Sequence, residues 1–258
     1  MPGHVLQRFI VHEHRMRWPI PADLADRISG REVLSCARRG KYLLINFSHG
    51  TQIVHLGMSG SMRRVPLEEA LRKHDHAEWV FGHARFLLHD PRRFGAILWH
   101  DKADGPLEAH PLLASLGIEP FDPGFTPAYL HRSLKGKAMA IKQALLGGRI
   151  VVGVGNIYAS EALFRARINP RTAAGTLSAA RCDALVAAIR DTLGDALNSG
   201  GSTLRDYVNA TGQPGAYFTL HAAVYEKAGQ PCGVCATPIR RIVQGQRASY
   251  YCPRCQKR

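Results

Sequence analysis

The chain has 258 residues, 45% of them hydrophobic and 21% charged, which is enough for one large or two ordinary globular domains and argues against disorder. No apolar run approaches the ~20 residues of a membrane span, and the first residues lack a basic segment followed by an apolar one, so a cytoplasmic chain is expected. Lys+Arg exceed Asp+Glu by 34 to 20, a formal charge of +14, which predicts a polyanionic partner and favours nucleic acid over a membrane.

From residue 4 to about 100 the sequence reads as short strands. The runs RFIVHEHRMRW, KYLLINF, TQIVHLGM, AEWVFG, ARFLLHD and GAILWH are rich in β-branched and aromatic residues and are broken by turn residues such as Ser48-His49-Gly50. Six such runs predict an antiparallel sandwich or barrel. Cys36 lies among them and is expected to be a small buried residue.

Residues 105–130 are rich in Pro, Gly and Asp and read as a link between domains. From about 125 to 209 the period becomes helical. In SAARCDALVAAIRDTLGDAL, Leu185, Ile189, Leu193 and Leu197 recur every four residues behind an N-cap at Ser178, and Cys182 falls near the same buried face. GGSTLRDYV is expected to start another helix capped by Ser202 or Thr203. TGQPGAYFTLHAAVYEKAGQP, residues 211–231, has no clear period and is expected to be a long mobile loop.

The tail supplies the most specific motif. Cys232-x2-Cys235 and Cys252-x2-Cys255 are sixteen residues apart, a spacing that aims four thiolates at one zinc ion and leaves no position open for water, so the metal is structural. Between the pairs, PIRRIV and ASYY read as strands around QGQR, which places Arg247 at a hairpin tip.

Further upstream, AIKQALLGGRIVVGVGN carries Lys142 on one helix and begins a second at Asn156, with glycine-spaced amides ahead of it that suit a phosphate. In the strand region, RRGKYLL sets Lys41 at a strand start. HLGMSGSMRR sets Met58, and DPRRFG sets Arg92, Arg93 and Phe94, on tight turns. An apolar side chain held beside arginines on such a turn suits insertion into a base stack, although plain core packing is the simpler reading of Met58 or Phe94 taken singly. KHDHAEW brings His74 and His76 around Asp75, suited to phosphate contact or ordinary polar surface.

Taken together, RRGKYLL, HLGMSGS, KHDH, DPRRFG, VVGVGNIYASE and the CxxC-x16-CxxC tail with QRASYYC resemble the bacterial formamidopyrimidine-DNA glycosylases, from about Gly3 to Arg258. The resemblance implies an α+β fold: an N-terminal antiparallel β-sandwich (1–110), a C-terminal helical domain with a helix–two-turns–helix (125–209), a loop over the lesion (211–231) and a zinc β-hairpin (232–258), with DNA in the cleft between the domains. It implies one structural zinc on Cys232, Cys235, Cys252 and Cys255. It also implies a monomer acting in the bacterial cytoplasm at the nucleoid, on double-stranded DNA that contains an oxidised purine or an abasic site.

The implied activity is base excision by flipping, Schiff-base formation and β,δ-elimination, with 8-oxoguanine and formamidopyrimidines as substrates. Met58, Arg92 and Phe94 match the family's wedge. Lys41 matches a lysine assigned proton donation in β-elimination, and Arg247 an arginine associated with phosphate gripping and δ-elimination. His74, Lys137, Lys142 and Asn156 match positions that contact the DNA backbone. The family also opens with a proline nucleophile, a glutamate and a long helix. Here Gly3 follows Pro2 and strand residues begin at once, so Pro2 has the right identity in the wrong place; about seventeen residues of the family pattern have no counterpart. The sequence therefore raises an alternative: a protein that binds damaged DNA without excising the base.

Overall fold

The computed structural model describes residues 1–202 and 215–257 and divides into two compact units, one built on Met1–Ala114 and the other on Ser115–Gly200 with Ala216–Arg258.

The first unit is almost entirely β. Its strands are β1 (His4–Leu6), β2 (Arg8–Val11), β3 (Arg31–Val33), β4 (Ser35–Arg39), β5 (Tyr42–Phe47), β6 (Gly50–His55), β7 (Ser61–Val65), β8 (Asp75–Phe81), β9 (Ala84–His89) and β10 (Ala96–Asp101); one short helix, α1 (Leu24–Ile28), follows β2. Two four-stranded antiparallel sheets form, ordered β10-β6-β5-β4 and β2-β8-β9-β7. Ile45, Phe47, Val54 and Ile97 of the first sheet share one core with Phe9, Ala77, Trp79, Phe81 and Leu88 of the second, the packing of a β-sandwich. At its centre Trp79 is fully buried, and its indole N–H donates to Gln52 Oε1 at 2.7 Å, which resolves the one polar atom that burial would strand.

β1, β3, β4, β7 and α1 are additional to the six expected strand runs. Cys36 is also corrected: it lies on β4, an edge strand of its sheet, and is exposed.

The second unit is helical, with α2 (Pro127–Leu134), α3 (Ile141–Leu146), α4 (Asn156–Arg165), α5 (Ala179–Asn198) and α6 (Tyr217–His221), followed by a hairpin of β11 (Arg240–Gln244) and β12 (Arg247–Tyr251). Ser178 accepts from Arg181 N and caps α5, as its sequence position predicts; Thr126 does the same for α2, with Pro127 at the first helical position. Cys182, Leu185, Ile189 and Leu193 lie in the core of this unit, whereas Leu197, the last of the expected stripe, is exposed. The helix expected from Ser202 or Thr203 falls largely in 203–214, outside the described residues.

The expected loop 211–231 needs correction over its described part. It contains α6, and Val224 and Tyr225 are buried against the hairpin. The cause is Glu161 on α4. Its buried carboxylate accepts three backbone N–H bonds, from Ala223 (2.7 Å), Val224 (3.0 Å) and Tyr225 (2.8 Å). A charged acceptor of this kind fixes a segment that lacks any periodic signal of its own.

Candidate nucleic-acid interface and metal centre

Strand register gathers one set of site residues. Tyr42 pairs with His55, and His55 with Ala96, so the β4–β5, β6–β7 and β9–β10 connections leave the first sheet at the same end. In the second sheet Ser61 and Asp75 both pair with His89, and Val11 with Ala77, which brings the start of β7, the last residues before β8 and the β2–α1 connection to that end as well. Lys41, Met58, His74, Arg92, Arg93 and Phe94 therefore cluster on adjacent loops although up to 53 positions separate them, counting from Lys41 to Phe94.

Two of these loops are fastened to each other. Asp90 is fully buried; its Oδ1 accepts from Ser59 Oγ at 2.7 Å and its Oδ2 from Gly95 N at 2.8 Å. Gly57 approaches so closely that a Cβ there would lie 2.6 Å from the Phe94 carbonyl carbon, and its φ of +69° already favours glycine. On this fixed base Met58 projects with 73% of its surface exposed, Phe94 with 43%, and the Arg92 guanidinium stacks over the Phe94 ring at 4.6 Å. An apolar side chain that exposed is not a core residue.

Arg93, at φ +53°, turns away and pairs with Glu13 at 3.2 Å. Hydrogen bonds from Arg15 hold the Glu13 carboxyl down at about 2, so it stays charged through the physiological range.

His55 joins the Lys41 turn to the Met58 turn. Its ring lies against Tyr42, and its Nδ1 accepts from Gly57 N at 3.1 Å. Burial lowers the His55 imidazole, and the charges of Lys41 and Arg17 lower it further while Asp90 opposes them. His74 adopts φ +76°; burial and the charge of Lys73 lower its pKa as well. Asp75 is not available to a metal, because Arg63 grips it with two bonds (2.9 and 2.8 Å) and His89 Nδ1 lies 3.0 Å away.

Pro2 sits elsewhere. Gly3 N donates to Val33 O, and Met1 Sδ lies 4.0 Å from Cys36 Sγ near the start of β4, whereas Lys41 lies past the other end of that strand.

The second unit carries the remaining candidates. Lys137 is exposed on the α2–α3 turn, where its carbonyl accepts from Gly175 N. Lys142 is not on the surface: it is 1% exposed, and its Nζ donates to Ala248 O and Ser249 Oγ, both at 2.9 Å. Burial, with Arg247 nearby, lowers it to about 7. Asn156 caps nothing with its side chain; Nδ2 donates to Tyr225 Oη and Ala248 O, both at 3.1 Å, and its Oδ1 is left without a partner. Lys142 and Asn156 thus converge on one carbonyl of β12, directly after Arg247. Arg247 is exposed beside a two-residue turn, Gly245-Gln246, in which both residues have positive φ, the geometry that matches hairpin twist.

At the other end of the hairpin the four cysteine sulfurs lie within 4.8 Å of one another, with Cys235–Cys252 at 3.4 Å and Cys232–Cys255 at 3.9 Å. Tetrahedral zinc with Zn–S bonds of 2.3 Å sets its sulfurs about 3.8 Å apart, so the cluster fits that ion. Burial and the neighbouring thiols push Cys255 up to about 12, a crowding that a divalent cation relieves. Among the described residues these four form the one group able to hold a metal, and it binds the expected single structural zinc.

Three family models match in order. They are the formamidopyrimidine-DNA glycosylase N-terminal domain over residues 1–97, the H2TH domain of the same enzymes over 116–208, and the zinc finger found in FPG and IleRS over 229–258. The formamidopyrimidine-DNA glycosylase of Bordetella pertussis is 70% identical over 256 residues, 99% of this chain and 93% of that one. The chain belongs to the formamidopyrimidine-DNA glycosylase family. The Burkholderia cenocepacia member is 55% identical, again over 99% of this chain and 93% of its own length. Among solved structures, MutM (FPG) from Thermus thermophilus is 37% identical, with a TM-score of 0.86 over 99% of this chain and 92% of that one. A Lactococcus lactis FPG variant bound to DNA containing Fapy-dG is 28% identical, with a TM-score of 0.89 over 100% of this chain and 94% of its own.

Signals for Ser59, Asp90, Glu13 and Glu161 were present only as residue types inside the quoted motifs. Nothing in their spacing marks Asp90 as the buried acceptor that joins two turns, or Glu161 as an acceptor for a segment 62 residues away.

Proposed function

We propose that the chain is a DNA-repair glycosylase and abasic-site lyase that takes oxidised purines, 8-oxoguanine and formamidopyrimidines, out of duplex DNA. The observation that carries this is the Ser59–Asp90 bond, which holds the Met58 and Phe94 turns together as one exposed apolar wedge backed by Arg92. Eversion of a base costs a few kcal/mol of stacking, and a rigid apolar group that fills the gap repays it. A preformed wedge loses little side-chain entropy in doing so.

In this reading Met58 and Phe94 enter the stack and Arg92 faces the base opposite the lesion. Lys41 sits beside the wedge to neutralise the lesion phosphate and to supply a proton as the sugar–phosphate strand breaks. His74 and Lys137 meet backbone phosphates, while Asn156, whose amide N–H groups are engaged by Tyr225 and Ala248, supports the phosphate site by holding β12. Arg247 grips a phosphate in strand cleavage. Lys142 does so only indirectly, since its ammonium is engaged in holding β12 and thereby Arg247.

Excision requires an amine that attacks C1′ as the base leaves and goes on to an imine; β- and δ-elimination then break the strand on either side of the sugar, and water releases the fragment from the amine. Pro2 lies beside Val33 and the start of β4, whereas Lys41 follows the far end of that strand, and that placement favours a second reading of these 258 residues: recognition and eversion of the lesion without base release. Borohydride trapping on an 8-oxoguanine duplex, run beside a binding titration, separates the two. A trapped adduct supports excision; saturable lesion binding with no adduct supports the second reading; no preference for the lesion duplex sinks both.

A further inference from the structure

A depression of about 600 Å³ lies beside the zinc cluster, lined by Arg167, Val234, Cys235, Arg254, Cys255 and Lys257. No acidic residue lines it. Arg167, Arg254 and Lys257 are exposed, and their side chains have no hydrogen-bond or ion-pair partner among the described residues. Their places are fixed all the same. Arg167 closes α4 with φ +55°, Lys257 O accepts from Asn169 N and from Arg181, and Arg254 lies inside the second CxxC turn.

A zinc ion with four thiolates carries a net charge of −2, which offsets part of this positive charge. Cys232 and Cys252 are buried, Cys235 and Cys255 are half-buried in the lining, and the three cationic head groups face water, so three positive charges stand against a cluster charge of −2. The surplus at the surface is positive and faces outward.

We propose that this depression is a second phosphate-binding site, which engages the backbone of duplex DNA outside the segment that holds the lesion. The proposal rests on the DNA-binding reading above. Two observations favour a phosphodiester backbone over an acidic peptide. The chain as a whole is strongly basic. The depression also shares the β11–β12 hairpin with Arg247, which the reading above places on a phosphate, and lies at the other end of β12 from it.

The test uses the zinc-loaded protein and the double substitution Arg167→Glu/Arg254→Glu, with abasic-site duplexes of 12 and 30 base pairs, titrated by fluorescence anisotropy across a salt series. Each lost phosphate contact lowers the slope of log K against log salt by about 0.9. The expected result is a slope smaller by about 1.8 on the long duplex and unchanged on the short one. Equal slopes for wild type and variant on both duplexes overturn the proposal, as does loss of poly-glutamate binding with DNA binding intact. Zinc content and thermal melting accompany each variant; if the charge reversal loses zinc, Arg167→Gln/Arg254→Gln gives the same reading with about half the charge change. Absence of wild-type binding to the 12-base-pair duplex instead contradicts the primary DNA site, and so separates the two failures.

Discussion

Ser59 Oγ donates a 2.7 Å hydrogen bond to Asp90 Oδ1, and through that bond two turns 31 residues apart move as one. Asp90 is fully buried, so removal of the hydroxyl leaves a carboxylate oxygen without its partner. Ser59→Ala is expected to cost about 1–3 kcal/mol in chemical denaturation, and to weaken discrimination between lesion and undamaged duplex by a larger factor than it weakens binding to undamaged DNA. Equal losses on both duplexes would make the bond structural only.

Met58 and Phe94 should behave in the opposite way. Both are exposed, so Met58→Ala and Phe94→Ala are expected to change stability by no more than about 0.5 kcal/mol. A larger loss of melting temperature for Met58→Ala would place its side chain in the core after all.

Lys142 predicts a pH dependence of stability. Its folded pKa is lowered from 10.5 to about 7. Below pH 7 both folded and unfolded forms carry the charge, and the folded form pays to bury it. Between about 7 and 10.5 the unfolded chain binds more protons, so this group makes stability rise with pH across that window. Lys142→Met is expected to remove the rise, a difference on the order of a few kcal/mol between pH 7 and pH 10 in urea denaturation. Parallel curves for wild type and variant would contradict the assignment.

Zinc removal should act on DNA binding through Arg247. A chelator, or Cys232→Ser, is expected to release about one zinc per chain, loosen the hairpin and weaken binding to abasic-site DNA, with near-native circular dichroism from α4 and α5. Undiminished affinity after zinc loss would detach Arg247 from recognition.

Much of the fold was legible because its signals are local. Six strand runs carried β-branched and aromatic residues, Ser178 announced α5, and the cysteine spacing specified a metal site without reference to anything else. What stayed hidden depends on distant partners. Lys142 looks like a surface lysine on a short helix until Ala248 and Ser249, 106 and 107 positions on, close over it. Residues 222–225 look like loop until Glu161 supplies their acceptor. Cys36 sits in an apparently apolar stretch, yet β4 has only β5 beside it in the sheet. Strand order, which decides edge from centre, has no signature in a single strand.

The central claim is that Met58 and Phe94, fixed on their shared base, drive the lesion out of the stack. The direct measurement is stopped-flow fluorescence of 2-aminopurine placed beside 8-oxoguanine in a duplex. Wild type should give a rise in fluorescence after binding, as the neighbouring base unstacks, and Met58→Ala/Phe94→Ala should bind with little or no rise. An identical rise in the double variant would contradict the account.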